Sequence, residues 1–445
     1  MWQNCNTNNN MAWKIKILAL FTILISSAAY GQTPKQELKK NLRFSASNFL
    51  AYPGPQQQKL TPPPAHQRPF YISHYGRHGS RHHTKYEDYD YAIRTLERGK
   101  RHHVLTPLGE DVLHRIERMK DEAFEKIGEL TPLGASQHRD IAQRMVERFP
   151  EVFTEETTVD ARSTLIVRCI MSMTNALLRM QQLKPDLNIH IEASQSDLHF
   201  LSYNDKNLSA VVATPENREL YDQYCQKHSS WQRVVGTLYS DTTYVNRYVN
   251  GERLNYYLFR LASNLQSTEL RHEMTLYDLF TDKEIYENWR KENAFWYLSY
   301  GFSPLNGAEQ PYSQRYLLRQ IIHDADSCIS LTHPSVNLRF GHDTMLLPLV
   351  CLMGINGYDL STTDLEQLER RGWIDYRVFP MAANLQLVFY RKDVTDRDVI
   401  FKVLLNENEA TLPIKTDIAP YYHWNDFREY YLKMINDFEA SHQTD

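Results

Sequence analysis

Two strand-like segments, each ending in a glycine-containing turn crowded with polar side chains, constrain this chain more than any other feature. The first is Pro69-Phe70-Tyr71-Ile72-Ser73, running into Arg77-His78-Gly79-Ser80-Arg81. The second is Ser335-Val336-Asn337-Leu338-Arg339-Phe340, broken by Gly341, with His342-Asp343-Thr344 at its end and the apolar run Met345-Leu346-Leu347-Pro348-Leu349 behind it. Open α/β sheets collect ligands at strand ends. The two turns are therefore expected side by side on one sheet, although a long stretch of chain lies between them.

The residue types in these turns suit phosphoryl chemistry. Planar guanidinium forks bind phosphate oxygens bidentately and keep their charge at any relevant pH, which makes Arg77 and Arg81 a candidate clamp. A neutral imidazole attacks phosphorus through one ring nitrogen when the other holds its proton against an acceptor, so His78 is the candidate nucleophile. Gly79 lets the backbone bend beside the phosphate. An alkoxide leaves poorly unless an acid protonates it, and Asp343 is the candidate acid, with His342 as a further donor to phosphate. Simpler readings exist for both: a solvated basic turn for the first and a helix N-terminal cap for the His-Asp pair.

A third piece is Val159-Asp160-Ala161-Arg162-Ser163-Thr164, passing into an apolar-periodic helix that ends near Met180. Arg168 stands where that helix begins, a place suited to an anion. Arg162 competes with it for the role and is otherwise a surface charge.

These three pieces, in this order, resemble the histidine acid phosphatase family, branch 2 of the histidine phosphatase superfamily, which includes phytases and multiple inositol polyphosphate phosphatases. The resemblance runs from about Pro69 to the strands near Leu405. It extends to Thr84 and Lys85, which match a pattern of some phytases, and to Leu130-Thr131-Pro132-Leu133-Gly134 with Gln137-His138. It implies a phosphohistidine on His78, phosphate held by Arg77, Arg81, Arg168 and His342, proton transfer by Asp343, and substrate contacts from Thr84 and Lys85. Two departures from the pattern stand out: His83 stands where Pro is usual, and His342-Asp343-Thr344 replaces the His-Ala-Glu common in the inositol polyphosphate phosphatases.

The order of elements predicts an α/β sandwich core, with a central mainly parallel sheet and helices on both faces, plus an inserted mainly helical cap. The expected divisions are a leader at 1–31, a loop-rich arm without chemistry of its own at 32–67, the α/β core at 68–198 and 311–440, and the cap at 199–310. Leu385–Tyr390 and Val399–Leu404 read as a strand hairpin on the core sheet. The repeated Leu-Thr-Pro-Leu-Gly at 105–109 and 130–134 reads as two helix starts, Thr capping and Pro opening each.

Lys14 and Lys16, an apolar run over Ile17–Ile25 and the small-residue site Ala29-Tyr30-Gly31 read as an export signal, with Met1 or Met11 as the start. The mature chain is then expected in the periplasm or outside the cell, without a stable membrane span. Losing the two lysines takes the net charge from −4 to −6, so the positive charge that phosphate needs must be local, and nucleic acid is excluded as a partner. Cys5 leaves with the leader; Cys169, Cys225, Cys328 and Cys351 admit three pairings or buried free thiols. His82-His83 and His102-His103 read as a positive rim or as exposed loop residues, and a zinc site is the weakest reading. No metal or cofactor is expected, since arginines handle the phosphate charge.

Three functions fit: a phosphomonoesterase acting on inositol polyphosphates or sugar phosphates, a phosphoglycerate-mutase-like transferase, and a noncatalytic phosphate-binding relative. The export signal and the late His-Asp pair weigh against the second. The presence of both nucleophile and acid weighs against the third.

Overall fold

The computed structural model describes residues 33–53, 58–203, 205–212 and 214–442. The expected leader, with Cys5 and the choice of start, lies outside them. Among the described residues, eight strands form one sheet: β1 (Arg68–Arg77), β2 (Thr158–Ser163), β3 (Asn188–Glu192), β4 (Ser335–Gly341), β5 (Asn384–Arg391), β6 (Ile400–Leu405), β7 (Asn408–Ala410) and β8 (Tyr421–His423). Their order is β3-β2-β4-β1-β5-β6-β7, with β8 also paired to β6. β1 to β4 run parallel, and β6 shares their direction because two antiparallel pairings, β1 with β5 and β5 with β6, separate it from β1. β5 and β6 are the expected hairpin.

Helices cover both faces, and the alternation of side chains along the strands explains why. Ile72, Val336, Leu338, Val388 and Leu404 point into one apolar core with Met145, Val146, Met173 and Leu177 from helices Pro132–Arg148 and Val167–Leu183. Tyr71, Tyr75, Leu387, Phe389 and Val403 point into the other, against helices Arg315–Ile329, Asp343–Leu352 and Trp424–Ser441. β1 lies in the middle, buried at every residue after Arg68, as a strand covered on both faces requires.

A separate apolar core joins helices Glu87–Arg101 and Pro107–Glu122 to Trp231–Leu238 and Gly251–Leu265, through Leu96, Ile116, Val235, Leu238, Leu258 and Leu261. The stretch 87–122, read from sequence with the sheet, thus shares its core with later helices. Both Leu-Thr-Pro-Leu-Gly segments start helices, with Thr106 and Thr131 accepting from the N–H of Gly109 and Gly134.

The N-terminal arm departs from expectation. It carries an α-helix, Pro34–Lys40, and a 3-10 segment, Leu42–Phe49, separated by an extended Asn41. Thr33 and Gln36 form a reciprocal capping box that spans Pro34, and Leu38, Phe49 and Leu50 bury against Trp289, Ile374 and Tyr376. The capping signal is present in the residues, but the apolar partners lie far along the chain.

Candidate active site

The turn after β1 is pinned on every side. Arg77 pairs in register with Gly341 of β4, and the His78 N–H donates to the Gly341 carbonyl at 2.9 Å. Gly79 N–H donates to Ser172 Oγ at 3.1 Å, and Ser80 N–H to Gln137 Oε1 at 2.9 Å. Thr131 donates to the Ser80 carbonyl through both N–H and Oγ, at 2.9 and 3.1 Å. A Cβ on Gly79 would lie 2.5 Å from the Gly134 carbonyl oxygen, and one on Gly134 would lie 2.2 Å from that of Ser80. Neither position accepts a side chain, so Gly79 serves close packing as well as a tight bend.

His78 is buried, and its Nδ1 lies 2.9 Å from the Gly79 carbonyl. A carbonyl only accepts, so Nδ1 carries the proton and Nε2 is left with its lone pair. Burial, then the charges of Arg77, Arg81, Arg168 and His342, hold its pKa well below 6.5. This is a neutral imidazole with a fixed tautomer, as nucleophilic attack requires.

Guanidinium groups surround it. Arg77 Nη1 donates to the carbonyls of Asn48 and Phe379 at 2.7 and 2.6 Å, and Nη2 lies 2.8 Å from Asp343 Oδ2. Burial and the charges of Arg77, Arg168 and Arg260 push Arg81 down from its usual value, while Asp343 opposes them. The Nε atoms of Arg77, Arg81 and Arg168 are buried without a hydrogen-bond partner. Arg168 is the second residue of helix Val167–Leu183, whose N-cap, Ile166, offers no side-chain cap. Unpaired donors, mutual repulsion and an open helix end all favour a bound anion. Arg162 is excluded from that task, because it pairs with Asp160 and Asp197 at 3.0 Å and with Glu192 at 3.3 Å.

Asp343 opens helix Asp343–Leu352. Its Oδ1 accepts from the Thr344 N–H at 2.9 Å, and Oδ2 accepts from Asn48 Nδ2 at 3.2 Å besides facing Arg77. Burial pushes its pKa up, but Arg77, Arg81, the Asn48 amide and His342 outweigh that and hold the carboxyl below its usual value. The His342 ring centroid is 5.7 Å from that of His78, and its Nε2 is 3.4 Å from Thr164 Oγ1. Burial and the nearby Arg168 charge lower His342 to about 4. Its side chain makes no cap hydrogen bond, so the cap reading of the His-Asp pair holds only for the Oδ1 contact of Asp343.

Thr84 and Lys85 are exposed. Thr84 and Arg168 Nη1 both flank Gly128, which puts Thr84 on the rim beside the clamp. His82 and His83 are neither a rim nor exposed: His83 is fully buried between the rings of Phe49 and Tyr89, at 5.1 and 5.2 Å. Both ring nitrogens are buried without a hydrogen-bond partner, and burial holds the imidazole neutral, well below 6.5. His102 and His103 are exposed. The four cysteines among the described residues are free thiols, and burial pushes Cys169, next to His342, up to about 11.

Sequence reading missed Asn48, Gln137, Ser172 and Thr164 as site residues. It also missed Arg260, whose guanidinium lies over the Phe49 ring at 4.9 Å, while Arg81 lies over the same ring at 5.5 Å. The Gln137 and Ser172 side chains carry no signature beyond their place near the quoted motifs.

Comparison with known proteins follows the same lines. The sequence model of the histidine phosphatase superfamily (branch 2) matches residues 76–406. Multiple inositol polyphosphate phosphatase 1 of Gallus gallus is 23% identical over 322 residues, 67% of this chain and 69% of the relative. The crystal structure of the Bifidobacterium longum multiple inositol polyphosphate phosphatase in complex with phosphate superposes with a TM-score of 0.73 at 16% identity, covering 86% of this chain and 96% of that one. The phytase from D. castellii superposes with a TM-score of 0.63 at 14% identity, covering 88% and 85%.

Proposed function

Because the chain belongs to branch 2 of the histidine phosphatase superfamily, we propose that it hydrolyses phosphomonoesters, inositol polyphosphates first among them, through a phosphohistidine on His78. The observation that carries this reading is the neutral His78, its Nδ1 held by the Gly79 carbonyl, inside a ring of guanidiniums of which one, Arg77, reaches Asp343. Nε2 attacks phosphorus as the ester oxygen leaves with the Asp343 proton. The resulting carboxylate then takes a proton from water, the water oxygen attacks phosphorus, and the P–N bond breaks to restore His78. Arg77, Arg81, Arg168 and His342 hold the non-bridging oxygens, whose charge they oppose most in the transition state.

The pH dependence follows from two shifts. His78, lowered from 6.5, stays neutral through the acid range, while the guanidiniums favour the ionised form of Asp343. Bound phosphate offsets that field and lets Asp343 hold its proton. The kcat profile, which reports the substrate complex, is therefore expected to be highest in acid and to fall as the pH rises. An increase through 6.5, as an ordinary imidazole lost its proton, would contradict the assignment of His78.

Relatives named for inositol polyphosphates support that substrate class. So does the exposed Lys85 beside the turn, which offers a cation outside the reacting group. The helices between 199 and 310 then act as a cap over the cleft, and the leader supports export, with Gln32 as the mature N-terminus. A panel on the mature protein tests the class. Inositol hexakisphosphate should exceed sugar phosphates in kcat/KM, and Lys85→Ala should reduce it on the hexakisphosphate by about threefold to tenfold with little change on a simple aryl phosphate. Equal losses on both would remove Lys85 from substrate selection.

A further inference from the structure

The N-terminal arm reaches the catalytic carboxyl. Asn48 Nδ2 donates to Asp343 Oδ2 at 3.2 Å, and the Asn48 carbonyl accepts from Arg77 Nη1 at 2.7 Å. Arg77 Nη2 lies 2.8 Å from the same Oδ2. The other oxygen, Oδ1, faces a single donor, the Thr344 N–H at 2.9 Å.

The segment that presents Asn48 is firmly held. Ser47 adopts a positive φ of 53°, and its Oγ donates at 2.5 Å to the buried Asp375, which also accepts from Trp289 Nε1 at 2.9 Å. On the other side, Phe49 packs against His83 at 5.1 Å, and the Leu50 carbonyl accepts from the Met381 N–H at 2.6 Å. A non-glycine residue keeps a left-handed conformation only where its surroundings over-determine it.

We infer that Asn48 is a positioning residue for the acid: its amide donates to Oδ2 while the Arg77 charge lies 2.8 Å from the same oxygen, so that negative charge gathers on Oδ2 and the transferable proton of Asp343 resides on Oδ1. A hydroxyl hydrogen on Oδ2 would meet the Asn48 N–H and the positive charge of Arg77. On Oδ1 it meets a single N–H, and is free to turn toward the ester oxygen. When that proton leaves with the alkoxide, the new negative charge spreads to Oδ2, where Asn48 already donates and the Arg77 charge lies closest. Asp343 is also faced by Arg81, His342, Cys169, Tyr75 and Tyr300, but Asn48 supplies its neutral side-chain donor. This inference rests on Asp343 being the acid.

Asn48→Ala leaves the backbone carbonyl, and hence the Arg77 contact, in place. The experiment compares wild type, Asn48→Ala and Asp343→Asn on an alkyl phosphate and on a dinitrophenyl phosphate, with pH profiles of kcat. Asn48→Ala should slow the alkyl ester about tenfold and the aryl ester about twofold or less. It should also move the basic limb to higher pH, because a donor to the carboxylate has gone. Asn48→Asp, which keeps the shape but puts a like charge beside Asp343 in place of an amide donor, should move the limb further and covers the case in which the alanine variant does not fold. Equal losses on both esters, or an unmoved limb in the folded variant, would overturn the role of Asn48 while leaving Asp343 as the acid. If Asp343→Asn itself showed no preference between the esters, the acid assignment and this inference would fall together.

Discussion

His78→Ala is expected to form no phosphoenzyme and to lose turnover of every phosphate ester, by on the order of 10⁴ to 10⁶-fold. The loss is expected to be chemical rather than structural. The backbone N–H that ties residue 78 to Gly341 remains, and the side chain's own hydrogen bond goes to the carbonyl of the adjacent residue. The clamp of Arg77, Arg81 and Arg168 also survives, so the variant should still bind inorganic phosphate with near-normal affinity. Quenched-flow labelling together with a phosphate titration checks both halves. A variant that could be labelled, or one that no longer bound phosphate, would contradict this assignment of roles.

Asp343→Asn has the second largest expected effect, and its signature is selectivity. Asparagine matches the shape and still offers an oxygen to Arg77, but it holds no transferable proton. Esters with alkoxide leaving groups should slow by about 10² to 10⁴-fold, the usual worth of a general acid. Dinitrophenyl phosphate needs little protonation and should phosphorylate His78 at close to the wild-type rate. Hydrolysis of the phosphohistidine then lacks its base, so an initial burst of phenolate near one equivalent of enzyme should precede slow turnover. Pre-steady-state absorbance on both esters decides the matter, and uniform slowing without a burst would contradict the role.

Residues whose type already implies their chemistry are legible in the amino-acid sequence itself. Arginine and histidine in a turn after an apolar strand, and a His-Asp pair after another, indicate the two strand ends, and β1 and β4 do lie side by side in parallel. The apolar alternation of residues 385–390 and 399–404 marks the hairpin of β5 and β6. Arg168 and Arg162 cannot be separated from sequence, because the difference lies in Asp197 and Glu192, carboxylates brought to Arg162 only by folding.

Other parts of the site are hidden for the same reason. Asn48, Gln137 and Ser172 are ordinary polar residues whose meaning comes from Asp343, Ser80 and Gly79, each far off along the chain. His83 defies its sequence reading because a polar turn suggests exposure, whereas Phe49 and Tyr89 enclose it from two distinct segments. The arm looks free of chemistry because its proline-rich half, residues 50–67, dominates its composition. The half that matters, Leu42–Phe49, shows its purpose only when Trp289 and Asp375 come to meet it.

The central claim is that the His78 imidazole takes the phosphoryl group. The Asp343→Asn protein, mixed with an aryl ester labelled in its phosphate and quenched within the burst, allows that to be read directly by mapping the labelled peptide. The predicted result is one acid-labile, base-stable phosphate on His78. A label on any other residue, or release of phosphate at the burst rate with no labelled protein, would contradict it.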